Sequence, residues 1–174
     1  ITVDGRAIKA LVQVTKHGFL FVLDRATGAP VWRIEERPVP KSTVPGEVSG
    51  RFTPQALDRL DRCLRRGAAH VLLALHHQPV PVNAAWIDQY ALESAEAFLQ
   101  VVDRHPRVRC ITWGHVHQDF EMVRNGVLLL GSPSSAVNSL PNAERFTLDL
   151  GGPAARWLEL AADGAVATGL LRAS

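Results

Sequence analysis

The chain has 174 residues, 47% of them apolar and 21% charged, with a formal net charge of +2. That balance fits a globular chain with room for one ordinary core, or a small unit beside a larger one. It excludes a basic nucleic-acid stripe, and no apolar run approaches the ~20 residues of a membrane span.

Residue usage is uneven along the chain. Lys9, Lys16 and Lys41 are its lysines, and all fall in the first 41 residues; six of the seven histidines fall later. Two pieces of different style meet near residue 47. No secretory signal pattern is visible, and a chain starting at Ile1 reads as a fragment. Cys63 and Cys110 lack metal or redox spacing and read as two buried free thiols.

Residues 6–14 alternate loosely between polar and apolar and predict a strand. Lys16-His17-Gly18 suits a turn, Phe19 to Leu23 a second strand, Thr27-Gly28 a second turn, and Val31 to Ile34 a short third strand. Residues 35–50, rich in proline, glycine and charge, predict a linker. Thr53-Pro54 is a helix start, with a hydroxyl cap and then proline in the first turn. Leu57, Leu60 and Leu64 keep helical spacing up to Gly67. Val71 to Leu75 is a continuous apolar run, the mark of a strand covered on both faces. Asp88 is a candidate cap for a helix carrying Leu92, Ala95, Leu99 and Val102 up to Pro106, and Val108 to Trp113 is another buried strand. Helix, strand, helix, strand in that order argues for adjacent parallel strands in an α/β layer.

Beyond Gly114 the pattern changes to short strands. Phe120 to Val123 and Val127 to Leu130 flank Asn125-Gly126, a strong hairpin signal. Arg145 to Leu150, Arg156 to Leu160 and Val166 to Leu171 complete the set, the last two joined around Asp163-Gly164.

The chemistry gathers at two strand ends. His76-His77 follows the first buried strand, and Gly114-His115-Val116-His117 follows the second. Ligands collect at the C-terminal ends of strands in α/β sheets, and imidazole suits zinc, iron and manganese. His70 and His105 read as surface histidines at element ends, and His17 as a turn residue.

The stretches Leu75 to Val80, Trp86-Ile87-Asp88, Gly114 to Gln118, Gly131 to Ser135, Arg156 to Leu160 and Asp163-Gly164 occur in this order. Through them residues 48–172 resemble the C-terminal half of the bacterial class III 3′,5′-cyclic-nucleotide phosphodiesterases, in the calcineurin-like metallophosphoesterase superfamily. The resemblance implies an α/β fold, a partial metallophosphoesterase sandwich of parallel strands with helices plus antiparallel strands. It implies His76, His115 and His117 as metal ligands, with His77 as the substitute for its neighbour. Gln118, Ser134 and Asn138 would lie near substrate, although the loop departs from the family's usual Pro-Ser-Thr-Cys-x-Gln-Phe. It further implies a nucleotide substrate, 3′,5′-cyclic AMP, no nucleic-acid or membrane partner, and a cytoplasmic location for this part.

The family's first half supplies further ligands: an Asp-x-His, a Gly-Asp and a Gly-Asn-His-Asp/Glu. None of them is expected anywhere in the chain: Asp4 is followed by Gly5-Arg6, and Asp24 by Arg25-Ala26. The expectation is an incomplete site that holds one divalent ion at most (manganese, iron or zinc) and has little activity. Half of the sandwich is missing too, so exposed sheet surface is expected to favour self-association.

Residues 1–47 carry a different set of stretches: Gln13 to Gly18, Phe21 to Gly28, Val31-Trp32 and Ile34 to Pro40. They resemble one blade of the quinoprotein dehydrogenases, eight-bladed propellers that bind pyrroloquinoline quinone. One blade implies an N-terminal β-hairpin fragment, with Trp32 as a core aromatic and no quinone bound. The expected division is therefore 1–47 and 48–174, joined within 44–50. Two rival readings follow: a non-enzymatic hybrid fragment, and a fragment of a quinone-dependent dehydrogenase.

Overall fold

The computed structural model describes residues 1–14, 20–34, 51–66 and 68–173. The chain opens with two small antiparallel pairs. β1 (Thr2–Val3) pairs with β2 (Arg6–Ala7) across Asp4-Gly5, both at positive φ as a two-residue hairpin turn requires. β3 (Ala10–Val14) pairs with β4 (Leu20–Asp24), in register from Val14↔Leu20 to Ala10↔Asp24. The Asp24 carboxylate then accepts from the N–H groups of Ala26 and Thr27, and Gly28 closes the turn at φ 73°.

The third strand expected at 31–34 does not form. A single bridge, Leu23↔Pro30, follows the turn. Pro30 has no N–H to extend a ladder, and Trp32 and Ile34 stand 55% and 52% exposed. The expected burial of Trp32 is corrected accordingly: more than half of the residue is exposed. Lys16, His17, Phe19 and the join within 44–50 lie outside the described residues.

The next element described is α1 (Pro54–Arg66). Thr53 Oγ1 accepts from the Ala56 N–H, satisfying one donor of the first turn. Leu64 is buried, and Leu57 and Leu60 pack beside the core. Cys63 turns outward and is exposed, unlike the buried thiol expected; Cys110 is buried, and burial pushes its pKa up to about 12. β5 (Val71–Leu75) follows, then a single turn of helix, α2 (Ala85–Asp88), and α3 (Ala95–Asp103). The helix expected from Asp88 thus starts later. The Asp88 carboxylate is engaged with the N–H groups of Val82 and Ala84 behind it, so it closes a loop instead of opening α3.

β6 (Val108–Trp113), β7 (Phe120–Arg124) and β8 (Val127–Gly131) complete a four-stranded sheet of order β5-β6-β8-β7. β5, β6 and β8 are parallel, and β7 returns antiparallel to β8. Asn125 and Gly126 both have positive φ, the backbone that their two-residue turn demands. The expected parallel pairing of residues 71–75 with 108–113 is present, ending at Leu75↔Trp113. β5 is only half-buried at all five positions, not covered on both faces, because it is the edge strand. The core lies behind β6 and β8, where Ile111, Trp113 and Leu129 join Leu64, Phe98, Val101 and Val102 of the helices.

β9 (Ala154–Leu160) and β10 (Val166–Arg172) form the last hairpin. Between β8 and β9 the strand expected at 145–150 reduces to one bridge, Ser139↔Leu148. Two backbone hydrogen bonds flank that bridge, Leu140 N–H to Thr147 O and Asp149 N–H to Asn138 O, while Phe146, Leu148 and Leu150 stay exposed.

Candidate metal centre

The register of the sheet decides what meets. Leu75 pairs with Trp113, and Trp113 with Gly131, so three strands stop at one level. His76-His77, Gly114 to Gln118, and Ser132 to Ser135 leave from that level side by side.

His76, His77 and His115 come together there. Each offers a ring nitrogen, and the three nitrogens lie within 4.8 Å of one another. His115 Nδ1 is 3.2 Å from His76 Nε2. The His77 and His115 ring centroids are 4.5 Å apart, and those of His76 and His77 are 4.7 Å apart. Among the described residues this group holds imidazoles and no carboxylate.

The backbone is strained at the same place. His115 and His117 have φ of 52° and 49°, and between them the Val116 N–H folds back onto Gly114 O at 2.5 Å. Left-handed backbone at a non-glycine residue costs about 1–2 kcal/mol, and such outliers cluster where chemistry is held.

Burial pushes the His115 ring down to about 4, and the rings of His77, His76 and His117 add to that effect. Burial also lowers His77. Both rings are therefore neutral near pH 7, the form that binds a metal.

The donor set fits a divalent ion. His115 Nε2 is buried without a hydrogen-bond partner, so an ion shared with His76 would meet the ring's other nitrogen, Nδ1, which faces it. Ligand nitrogens on a tetrahedral zinc with 2.0–2.1 Å bonds are about 3.3 Å apart, which the His76–His115 separation already matches.

The other expected site residues fall around this group. His117 is exposed and directs Nδ1 at Val137 O, 2.9 Å away; it lies outside the three-nitrogen group. Gln118 is 2% exposed, and its amide nitrogen donates to Val82 O, tying this segment to the loop after β5. Asn138 is also 2% exposed and is hydrogen-bonded to Ser134 and Gly152. Ser134 Oγ accepts from the Ala136 N–H. His77, held in reserve on the sequence, is a full member of the group; two histidines in a row at a strand end were the signal.

An Asp-x-His triplet does occur in the chain, Asp103-Arg104-His105, but at the wrong end of the sheet. Asp103 pairs with Arg124. His105 is buried, not a surface residue, with Nε2 2.8 Å from Asp61. It precedes β6 while His115 follows it, and a six-residue strand spans about 20 Å. The triplet supplies nothing to the histidine group.

Comparison with known proteins finds two different likenesses. A family model described as glucose/ethanol/alcohol dehydrogenase, beta-propeller domain (PQQ), matches residues 1–62. The 3′,5′-cyclic adenosine monophosphate phosphodiesterase CpdA of Pseudomonas aeruginosa is 39% identical over 132 residues, 75% of this chain and 48% of that protein. CpdA of Escherichia coli K12 is 38% identical over 128 residues, 73% of this chain and 46% of that protein. The larger part of the chain resembles half of a cyclic-nucleotide phosphodiesterase. A 3′,5′-cyclic-nucleotide phosphodiesterase of Nostoc is 37% identical over 132 residues, 75% of this chain and 50% of that protein. The chain spans about half the length of these curated relatives. A dimetal phosphatase from Danio rerio is similar in structure over 47% of this chain and 27% of that one, with a TM-score of 0.42 and 26% identity. A 132-residue match and a match to residues 1–62 cannot lie side by side in 174 residues, so the two likenesses overlap. Among the described residues no helix is long and apolar enough to cross a membrane.

Proposed function

We propose that residues 48–174 carry an incomplete, single-metal remnant of a cyclic-nucleotide phosphodiesterase centre. The convergence of His76, His77 and His115 at the ends of β5 and β6 carries this reading. The phosphodiesterase relatives support its chemical class: metal-dependent hydrolysis of a phosphodiester, with 3′,5′-cyclic AMP as the substrate by descent.

A bound divalent ion would lower the pKa of a water and neutralise phosphoryl charge. The chain's own part is to present neutral imidazoles on a fixed frame. β5 and β6, hydrogen-bonded side by side, set the spacing of His76 and His115. The Gln78 amide donates to Ile87 O and anchors the loop behind His77. His117 stands beside this group as a further nitrogen donor. Gln118, Ser134 and Asn138 shape the adjoining wall. With three imidazoles and no carboxylate, the site binds one ion weakly. Among the described residues a second ion, needed to clamp both the attacking and the leaving oxygen, has no ligand set. Turnover is accordingly near background.

The test is metal analysis with a cyclic AMP hydrolysis assay in added manganese, repeated on His115→Ala. One ion per chain or fewer, with hydrolysis near background, is the expected result. Two tightly held ions, or brisk hydrolysis abolished by the substitution, would overturn it.

The match of residues 1–62 to a propeller domain favours a second reading, a piece of a quinone-dependent dehydrogenase. That reading requires the rest of the propeller from elsewhere. Quinone-dependent alcohol oxidation by the isolated chain would establish it over the first.

A further inference from the structure

Asn138 lies in the loop that follows β8. Its side-chain oxygen accepts from the Ser134 N–H at 2.6 Å, and its amide nitrogen donates to Ser134 O and Gly152 O, each at 2.9 Å. One buried side chain thus grips both backbone groups of the residue four places back and ties the loop to the segment before β9. Its own carbonyl accepts from the Asp149 N–H. The amide's donors and acceptor are all taken up inside the protein, at 2% exposure.

The residues on either side of Asn138 hold His117. Val137 O is 2.9 Å from His117 Nδ1. The Ser139 N–H donates to His117 O at 2.8 Å, and Ser139 Oγ donates to Val116 O at 3.3 Å. Three contacts from residues 137–139 therefore brace the 116–117 segment, which contains a left-handed residue, His117 at φ 49°. A carbonyl only accepts. A neutral His117 ring must then carry its proton on Nδ1 and leave the lone pair on Nε2.

We propose that Asn138 is a positioning residue: by locking the 134–138 loop it aims Val137 O at His117 and sets that ring to the Nδ1–H tautomer, with Nε2 as the nitrogen free to bind a metal. Outer partners of this kind orient ligating histidines and fix their tautomers. The role assigns Asn138 to the ring behind the loop and not to substrate. The part that concerns metal affinity rests on the metal reading above; the tautomer does not.

The experiment is a long-range ¹H–¹⁵N correlation spectrum of the histidine rings in metal-free protein at about pH 8, above the ordinary histidine range. It is run on wild type, Asn138→Ala and Asn138→Asp, followed by zinc titration of each. Wild-type His117 should show the Nδ1–H pattern. Asn138→Ala should give a mixed His117 pattern. Asn138→Asp keeps the acceptor but loses both donors and should fall between. An Nε2–H or averaged His117 in wild type overturns the proposal, whether or not the variants fold. An unchanged His117 pattern in folded Asn138→Ala overturns it too. If wild type shows the Nδ1–H pattern but binds no zinc, the positioning stands and the metal reading fails.

Discussion

Trp32 and Trp113 are the same side chain in two surroundings. Trp113 ends β6 with no exposed surface, packed at 5.6 Å from the Phe120 ring, with parallel strands on both sides. Trp32 follows a turn next to a two-stranded pair and is 55% exposed. Both stretches read as apolar strands on the sequence. What separates them is the number of neighbours: β6 lies between β5 and β8, whereas among the described residues β3 and β4 pair with each other and add one bridge, Leu23↔Pro30. An aromatic ring gains from burial only where other elements close over it, and a pair of strands alone is marginal in water. Residues 1–62 are similar to a propeller-domain family model, and among the described residues no further strand closes over β3 and β4 to bury Trp32.

The largest test of this contrast is the pair Trp113→Ala and Trp32→Ala in urea denaturation. Trp113→Ala should cost about 3–5 kcal/mol, while Trp32→Ala should stay within about 0.5 kcal/mol. Equal losses would mean that the first piece shares the core. Gly131→Ala comes next. A Cβ there would sit 2.9 Å from Phe120 Cβ, 3.1 Å from Trp113 Nε1 and 3.3 Å from Val116 Cγ2. That overpacking should cost about 1–3 kcal/mol in urea denaturation; an unchanged midpoint would contradict the close packing.

A smaller effect is expected from pH. His115 in the folded protein titrates at about 4, below its ordinary 6.5. The unfolded chain therefore takes up a proton that the folded chain resists. Stability of the metal-free protein should be full above about pH 6.5, decline as the pH falls toward about 4, and level off below. Burial of His77 works in the same direction. Urea midpoints across this range, compared with His115→Gln, should show the slope shrinking in the variant. An identical slope would remove the histidine group as its source.

Much of the frame could be read from residue order. The runs 71–75 and 108–113 were legible because fully apolar stretches after helical periodicity have few other uses, and Asn125-Gly126 admits one kind of turn. His76 and His115 followed from strand ends in an α/β layer. Other features were not local and so were not legible. The start of α3 depended on Asp88 turning back to Val82 and Ala84. The burial of His105 depended on Asp61, 44 residues away. The half-exposure of β5 depended on its place at the sheet edge, which no window of sequence contains. The role of Asn138 needed the fold to bring Ser134, Gly152 and His117 around one loop.

The central claim is that His76, His77 and His115 form one metal site lacking the ligands for a second. Calorimetric titration of zinc into metal-free protein tests it most directly, with His76→Ala, His77→Ala and His115→Ala alongside. The account predicts one ion per chain in wild type and a weakening of at least about 10-fold in each variant. Two ions per chain, or binding untouched by all three substitutions, would contradict it.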